Sequence, residues 1–217
     1  YGYHRETSPR LSSRDDIMAF DNVISCNSST LLSIMNFLTE NNIEKSKAVD
    51  SCINVFDVFH SASYKTYWLS NQSPIGLWDN GVTSLAQNAD KNVFVNLMAS
   101  SSMESTQMAS YDENLIEPLH NSLMDGDKNK LIMIHLMGSH YDQRYRVPES
   151  WLKEHENIIS GMDIYDKSIA YTGYILSELY SAIMKKDEPA FLLYIPDHSE
   201  TPVSKRSMTT PEKVYYE

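Results

Sequence analysis

Positive charge is in short supply in this chain. Its 217 residues carry 18 Lys and Arg against 29 Asp and Glu, a net charge of −11 at pH 7. Such a surface is not built to hold nucleic acid or an anionic membrane by bulk charge. Long apolar runs are missing too: none approaches the roughly 18 residues that cross a bilayer. The first residues show no signal-peptide pattern. There is no internal repeat, no low-complexity tract and no composition shift that marks a boundary, so residues 1–217 are expected to form a single domain. The only cysteines are Cys26 and Cys52. Spacing alone decides neither their pairing nor a compartment.

What is present is a hydrophobic content of 41%, enough for one sizeable core. Residues 17–24 mix apolar and polar positions and read as a short strand or turn. After SCNSST (25–30) the pattern becomes helical, with Leu31, Ile34, Phe37 and Leu38 as the buried stripe. Apolar spacing of three and four predicts a helix over 48–62, and aromatic β-formers predict a strand over 64–70. A short helix at 79–90 and a buried strand at 92–98 follow, then a Ser- and Met-rich loop at 99–110. A helix over 112–125 leads to a strand at 131–136. The longest helix is expected over 163–185, with Tyr165, Ile169, Leu176, Leu179 and Ile183 on its buried face. The apolar run Phe191–Ile195 reads as a last buried strand. Strands alternating with helices at this pace specify an α/β domain with a largely parallel sheet. In such sheets ligands bind beyond the carboxyl ends of the strands.

Three groups of reactive side chains fall at such ends. Ser28, Ser29 and Thr30 precede a helix. There a hydroxyl serves either as an N-cap or as a nucleophile whose phosphoryl group the helix dipole and free amides would favour. His140 follows the strand at 131–136, beside Gly138 and Ser139. His135, inside that strand, reads as a satisfied core histidine. Asp197 and His198 follow the run at 191–195, and their carboxylate and imidazole are ordinary zinc ligands.

The order of these pieces resembles the catalytic domain of the phosphoethanolamine transferases, membrane-anchored members of the alkaline phosphatase/sulfatase superfamily. YGYHRETSPRL (1–11) resembles the segment after the family's first catalytic strand. SCNSST resembles its nucleophile segment, with Thr30 in the nucleophile's place. YKTYWLSNQSP (64–74) resembles an internal strand and loop. HLMGSHYDQRY (135–145) resembles the histidine motif, which puts His140 in the active site. PDHSE (196–200) resembles the Asp-His-Gly-Glu motif, which puts Asp197 and His198 on the metal. The resemblance spans nearly the whole chain.

It implies a three-layer sandwich with a mostly parallel central sheet. It implies a zinc enzyme in which Thr30, Asp197 and His198 are ligands, Thr30 attacks phosphatidylethanolamine, and a phosphoethanolamine-enzyme forms. The group would then pass to lipid A or core sugars of the outer-membrane glycolipid. His140 would bind the phosphoryl group or protonate a leaving group, and Glu200 would orient His198 or a substrate amine. A monomer at the periplasmic face of the bacterial inner membrane is expected, held there by helices this chain does not contain.

Departures from the pattern matter as much. The family's metal-binding Glu lies upstream of the Tyr-Gly-Tyr segment, and its second histidine lies downstream of the Asp-His pair. Neither occurs here, so the chain is expected to be a fragment lacking the first catalytic strand and the C-terminal part, with weak or substoichiometric zinc. Ser199 replaces the family's Gly. Met35 and Asn36 stand where a cysteine is usual, which argues against a disulfide from Cys26 across the nucleophile helix. A phosphoglycerol transferase or phosphodiester hydrolase of the same fold, or a non-catalytic domain, is the alternative. SCNSSTLLS lacks the Pro and Arg of a sulfatase nucleophile motif.

Overall fold

The computed structural model describes residues 6–20, 23, 25–41, 52–75, 80–97, 110–127, 129–186 and 188–198. Its centre is a three-stranded parallel sheet in the order β2-β1-β3, with β1 at Lys65–Ser70, β2 at Lys91–Phe94 and β3 at Lys130–His135. The register pairs Trp68 with Met133 and Leu69 with Ile134. Successive side chains of a strand point to opposite faces. Here both faces are apolar, as a sheet covered on both sides requires.

One face carries Trp68, Phe94, Leu131 and Met133. It packs under α2 (Thr30–Leu38), α3 (Val55–Ser61) and α4 (Asn80–Ala86) through Ile34, Met35, Leu38, Phe56, Val82 and Leu85. The other face carries Leu69, Ile132 and Ile134. It is covered by α5 (Ile116–Met124), entered through a 3-10 turn at Asp112–Leu115, by α6 (Glu149–Glu154) and α7 (Glu156–Ile159), and by α8 (Ile164–Met184). The result is helix, sheet, helix, the expected three layers. A short helix, α1 (Pro9–Ser12), lies on α8, where the Arg10 guanidinium sits 4.7 Å from the centre of the Tyr174 ring. Cys26 and Cys52 are both free thiols.

Several expectations are corrected. Phe191–Ile195 is not a strand: it has no ladder partner among the described residues, and Phe191 is 85% exposed. Its apolar composition suits a strand, but a strand exists only where a neighbour's N–H and C=O groups are in register. Residues 17–20 and 23 are irregular rather than extended in a sheet. Of the helix expected over 48–62, residues 48–51 lie outside the described residues, and the described helix begins at Val55. There Asn54 accepts from the N–H of Asp57 and Asp57 accepts from the N–H of Asn54, a reciprocal cap that sets the start. On α8, Leu176 and Leu179 of the expected stripe are buried, joined by Ile175 and Tyr171, while Ile183 is only half-buried. Tyr165 and Ile169 instead face a cavity. On α2, Phe37 is exposed and Met35 is buried in its place. Residues 99–109 of the expected loop, and Ser199 and Glu200, lie outside the described residues.

Candidate active site

Thr30 is the first residue of α2. The cap position belongs to Ser29, whose backbone is extended and whose side chain makes no capping bond. Neither hydroxyl therefore does the simple capping work that the sequence allowed. Thr30 Oγ1 lies 3.1 Å from His198 Nε2, and the same nitrogen lies 3.3 Å from Asp197 Oδ2. Residues 168 positions apart are thus brought to one point.

A polar knot holds them there. Ser25 Oγ lies 2.5 Å from the carbonyl oxygen of Asp197 and 2.7 Å from that of Asn27. A hydroxyl has one proton, so it donates to one of these carbonyls at a time, and both lie within its reach. Ser33, buried on the inner face of α2, donates to the Asn27 carbonyl at 2.9 Å. The Asn27 side chain accepts the N–H of Ser29 at 3.0 Å. The segment entering α2 and the turn carrying Asp197 are therefore tied by backbone as well as side chain.

These groups open onto a cavity of about 550 Å³ at the carboxyl end of the sheet. Thr30, Asp197 and His198 line one end, with Gln72, His135 and His140; its walls are apolar, including Ile132, Ile134 and Leu193. His140 is exposed and shares this space. Its Nδ1 lies 2.6 Å from the Tyr141 carbonyl oxygen. A carbonyl only accepts, so Nδ1 carries the hydrogen. In the neutral ring the lone pair is then on Nε2, free to meet a ligand.

His135, expected as a satisfied core histidine, does pack edge-on against buried Trp68, and it also meets the cavity. It ends β3, lines the cavity, and sits with its Nδ1 3.4 Å from Ser70 Oγ. Burial pushes its imidazole down to about 4, and the nearby Asp197 carboxylate partly opposes this. Sequence alone misses this residue because a histidine in an apolar run reads as core. Its position at the last residue of a parallel strand is the available signal.

The chemistry of the Thr30, Asp197 and His198 set fits zinc, which takes oxygen and nitrogen donors. Tetrahedral ligands at about 2.0–2.2 Å from one ion stand roughly 3.4 Å apart. The two contacts at His198 Nε2, 3.1 and 3.3 Å, match that spacing. Among the described residues no three His, Cys, Asp or Glu gather into a metal cluster, so these residue types supply no further ligand there.

Several known proteins are similar to this chain. The sulfatase family model matches residues 1–214. Phosphoethanolamine transferase EptC of Escherichia coli O18:K1:H7 is 28% identical over 216 residues, 92% of this chain and 36% of that protein. The Kdo(2)-lipid A phosphoethanolamine 7''-transferase of Salmonella typhimurium is 24% identical over 93% of this chain and 36% of its own length. The crystal structure of the C-terminal periplasmic domain of E. coli EptC in complex with Zn superposes with a TM-score of 0.69 at 26% identity. It matches 84% of this chain and 54% of that one. This chain spans little more than a third of the length of the curated relatives it matches.

Proposed function

The chain belongs to the sulfatase family, with the fold of the alkaline phosphatase superfamily, and from that premise we propose that it is the catalytic part of a phosphoethanolamine transferase. The donor is phosphatidylethanolamine and the acceptor is lipid A or a core sugar of an outer-membrane glycolipid. The observation that carries this reading is the meeting of Thr30 Oγ1 and Asp197 Oδ2 at His198 Nε2, at 3.1 and 3.3 Å, beside the cavity.

In this reaction the Thr30 oxygen attacks phosphorus. The bond from phosphorus to the diacylglycerol oxygen breaks, and that oxygen leaves as an alcohol after taking a proton. Thr30 then carries phosphoethanolamine until an acceptor oxygen displaces it. His140 Nε2 takes a proton from an attacking hydroxyl, and the imidazolium so formed donates to the phosphoryl oxygens or passes that proton to the leaving oxygen. Asp197 and His198 would hold zinc together with Thr30. When bound there, zinc would lower the pKa of the hydroxyl and offset charge on the phosphoryl oxygens. Glu200 is assigned to orient His198 or the substrate amine. No described helix is long and apolar enough to cross a membrane. The protein works at the periplasmic face of the inner membrane, its catalytic part in the periplasm and acting as a monomer.

Mass spectrometry of glycolipid incubated with the full-length enzyme and phosphatidylethanolamine tests the reading. Added phosphoethanolamine is expected. Added phosphoglycerol, or free headgroup without transfer, would move the assignment to a phosphoglycerol transferase or phosphodiester hydrolase.

A further inference from the structure

Two buried charges sit behind the loop that carries His140, and the transfer mechanism does not use either of them directly. Asp112, at the start of the 3-10 turn before α5, is 4% exposed, and so is Arg146. A carboxylate this deep is costly unless each oxygen is satisfied. Asp112 Oδ1 accepts from the N–H of Met137 at 2.8 Å and from Asn71 Nδ2 at 2.7 Å. Its Oδ2 accepts from the N–H of Gly138 at 2.8 Å. Asn71 is fully buried at the end of β1 and also donates to the Ser110 carbonyl at 2.8 Å. Asp112 thus holds two successive amides of the chain leaving β3.

Arg146 takes the other half of the same loop. Its Nε donates to the His140 carbonyl at 3.0 Å and its Nη2 to the Tyr141 carbonyl at 3.3 Å. Between them, Gln143 Nε2 donates to the Ser139 carbonyl at 3.2 Å, and the His140 N–H closes a turn on the Met137 carbonyl at 3.3 Å. Gly138 has φ +58, the left-handed conformation that glycine adopts at little cost. The loop from 137 to 141 therefore has its amides held from one side by an anion and its carbonyls from the other by a cation. The Tyr141 carbonyl gripped by Arg146 is also the acceptor of His140 Nδ1. Fixing that oxygen fixes which ring nitrogen carries the hydrogen.

We propose that Asp112 and Arg146 are positioning residues: together they clamp the 137–141 loop so that His140 presents an unprotonated Nε2, a proton acceptor, to the hydroxyl that reacts at the phosphoryl group. The role at phosphorus rests on the transferase reading; the setting of loop and tautomer does not. Asp112→Asn keeps the shape. However, its amide puts an N–H donor, or only one acceptor, where two backbone N–H groups and the Asn71 amide converge. Misplacing a group that touches the reacting centre by about 1 Å costs on the order of 100-fold in rate.

Two measurements on Asp112→Asn test this. The first is long-range 15N–1H correlation of the histidine rings in the chain at a pH where His140 is neutral. The wild type is expected to show the Nδ1–H form at His140, and Asp112→Asn a mixture of tautomers. A mixture in the wild type, or an unchanged His140 in a folded variant, overturns the proposal. The second is transfer by the full-length enzyme. Asp112→Asn is expected to lower kcat about 100-fold. The double variant with His140→Ala should be no slower than His140→Ala alone, because both act through one ring. Additive losses overturn the proposal, since a merely structural aspartate would give them. If Asp112→Asn does not fold, Gly138→Ala carries the same criteria. An added Cβ there meets nothing within 4 Å, so only the turn geometry is disturbed. Absence of transfer by the wild type would refute the transferase reading and leave the ring measurement standing.

Discussion

The same three residue types meet at both ends of the sheet. At the amino end His60 Nε2 lies 2.8 Å from Thr66 Oγ1 and 3.2 Å from Asp90 Oδ2. At the carboxyl end His198 Nε2 lies 3.1 Å from Thr30 Oγ1 and 3.3 Å from Asp197 Oδ2. Judged by distances alone the two trios are nearly equivalent. Their surroundings differ. Asp90 also accepts the Thr66 N–H at 2.8 Å and faces Lys65 Nζ at 3.2 Å, while its own N–H donates to Thr66 Oγ1 at 3.0 Å. Thr66 is fully buried and its hydroxyl is committed. The lower trio is a closed clasp that joins α3, β1 and the turn before β2. Among the described residues, the only group within ion-pair distance of the Asp197 carboxylate is His198, and the trio fronts a cavity. A threonine, a histidine and an aspartate become a candidate site through the cavity they front, and through lying where parallel strands end.

Exchanging the roles by mutation would break this contrast. Thr30→Ala in the full-length enzyme should lower transfer by roughly 10⁴-fold or more while leaving the melting temperature nearly unchanged, since a nucleophile has no substitute. Thr66→Ala should do the reverse. It should lose stability, on the order of 1–3 kcal/mol for stranding the Asp90 and His60 partners, and retain turnover per folded molecule. Activity retained by Thr30→Ala would shift the nucleophile to Ser28 or Ser29.

Metal binding sharpens the contrast next. Zinc measured by elemental analysis after dialysis should be substoichiometric in this chain and about tenfold or more weaker again in Asp197→Asn, while Asp90→Asn leaves it unchanged. Tight one-to-one zinc in this chain would contradict a set limited to Thr30, Asp197 and His198.

Acid gives the smallest effect. The Thr66 N–H, followed by the Lys65 and Thr66 side chains, lowers the Asp90 carboxyl to about 2 in the folded protein, against an ordinary value of 3.8. A depressed carboxyl stabilises the fold above its unfolded value and loses that contribution as pH falls through the folded one. The clasp should therefore weaken between about pH 4 and about pH 2. After allowance for solvent the loss is roughly 1 kcal/mol. Melting curves of Asp90→Asn, measured against wild type across that window, should converge as the pH drops.

Much of the fold and of the site is legible in the sequence. The helix at 164–184, β1 and β3 follow from apolar period and β-branched or aromatic content, and Thr30, Asp197, His198 and His140 can be picked out as a set. What is not legible has physical causes. Phe191–Ile195 has the composition of a strand, but composition does not supply a partner. Asn54 and Asp57 stand three apart, a readable capping signal that the apolar spacing upstream obscures. Asp112 and Arg146 look like surface charges in sequence. Their importance comes from backbone amides and carbonyls they meet after folding, which have no side-chain signature.

The outer side of β3 has a practical consequence in solution. Among the described residues only β1 pairs with this strand, and Phe191, Tyr194 and Ile195 stand exposed. Among the described residues this leaves a row of amides and carbonyls beside exposed apolar side chains, which is a template for another chain. At low salt the charge of −11 keeps copies apart. As salt shortens the range of that repulsion to about 10 Å or less, light scattering from concentrated samples should rise. The chain should therefore be kept dilute and at low ionic strength, and its shelf life would be governed by its edge rather than by its active site.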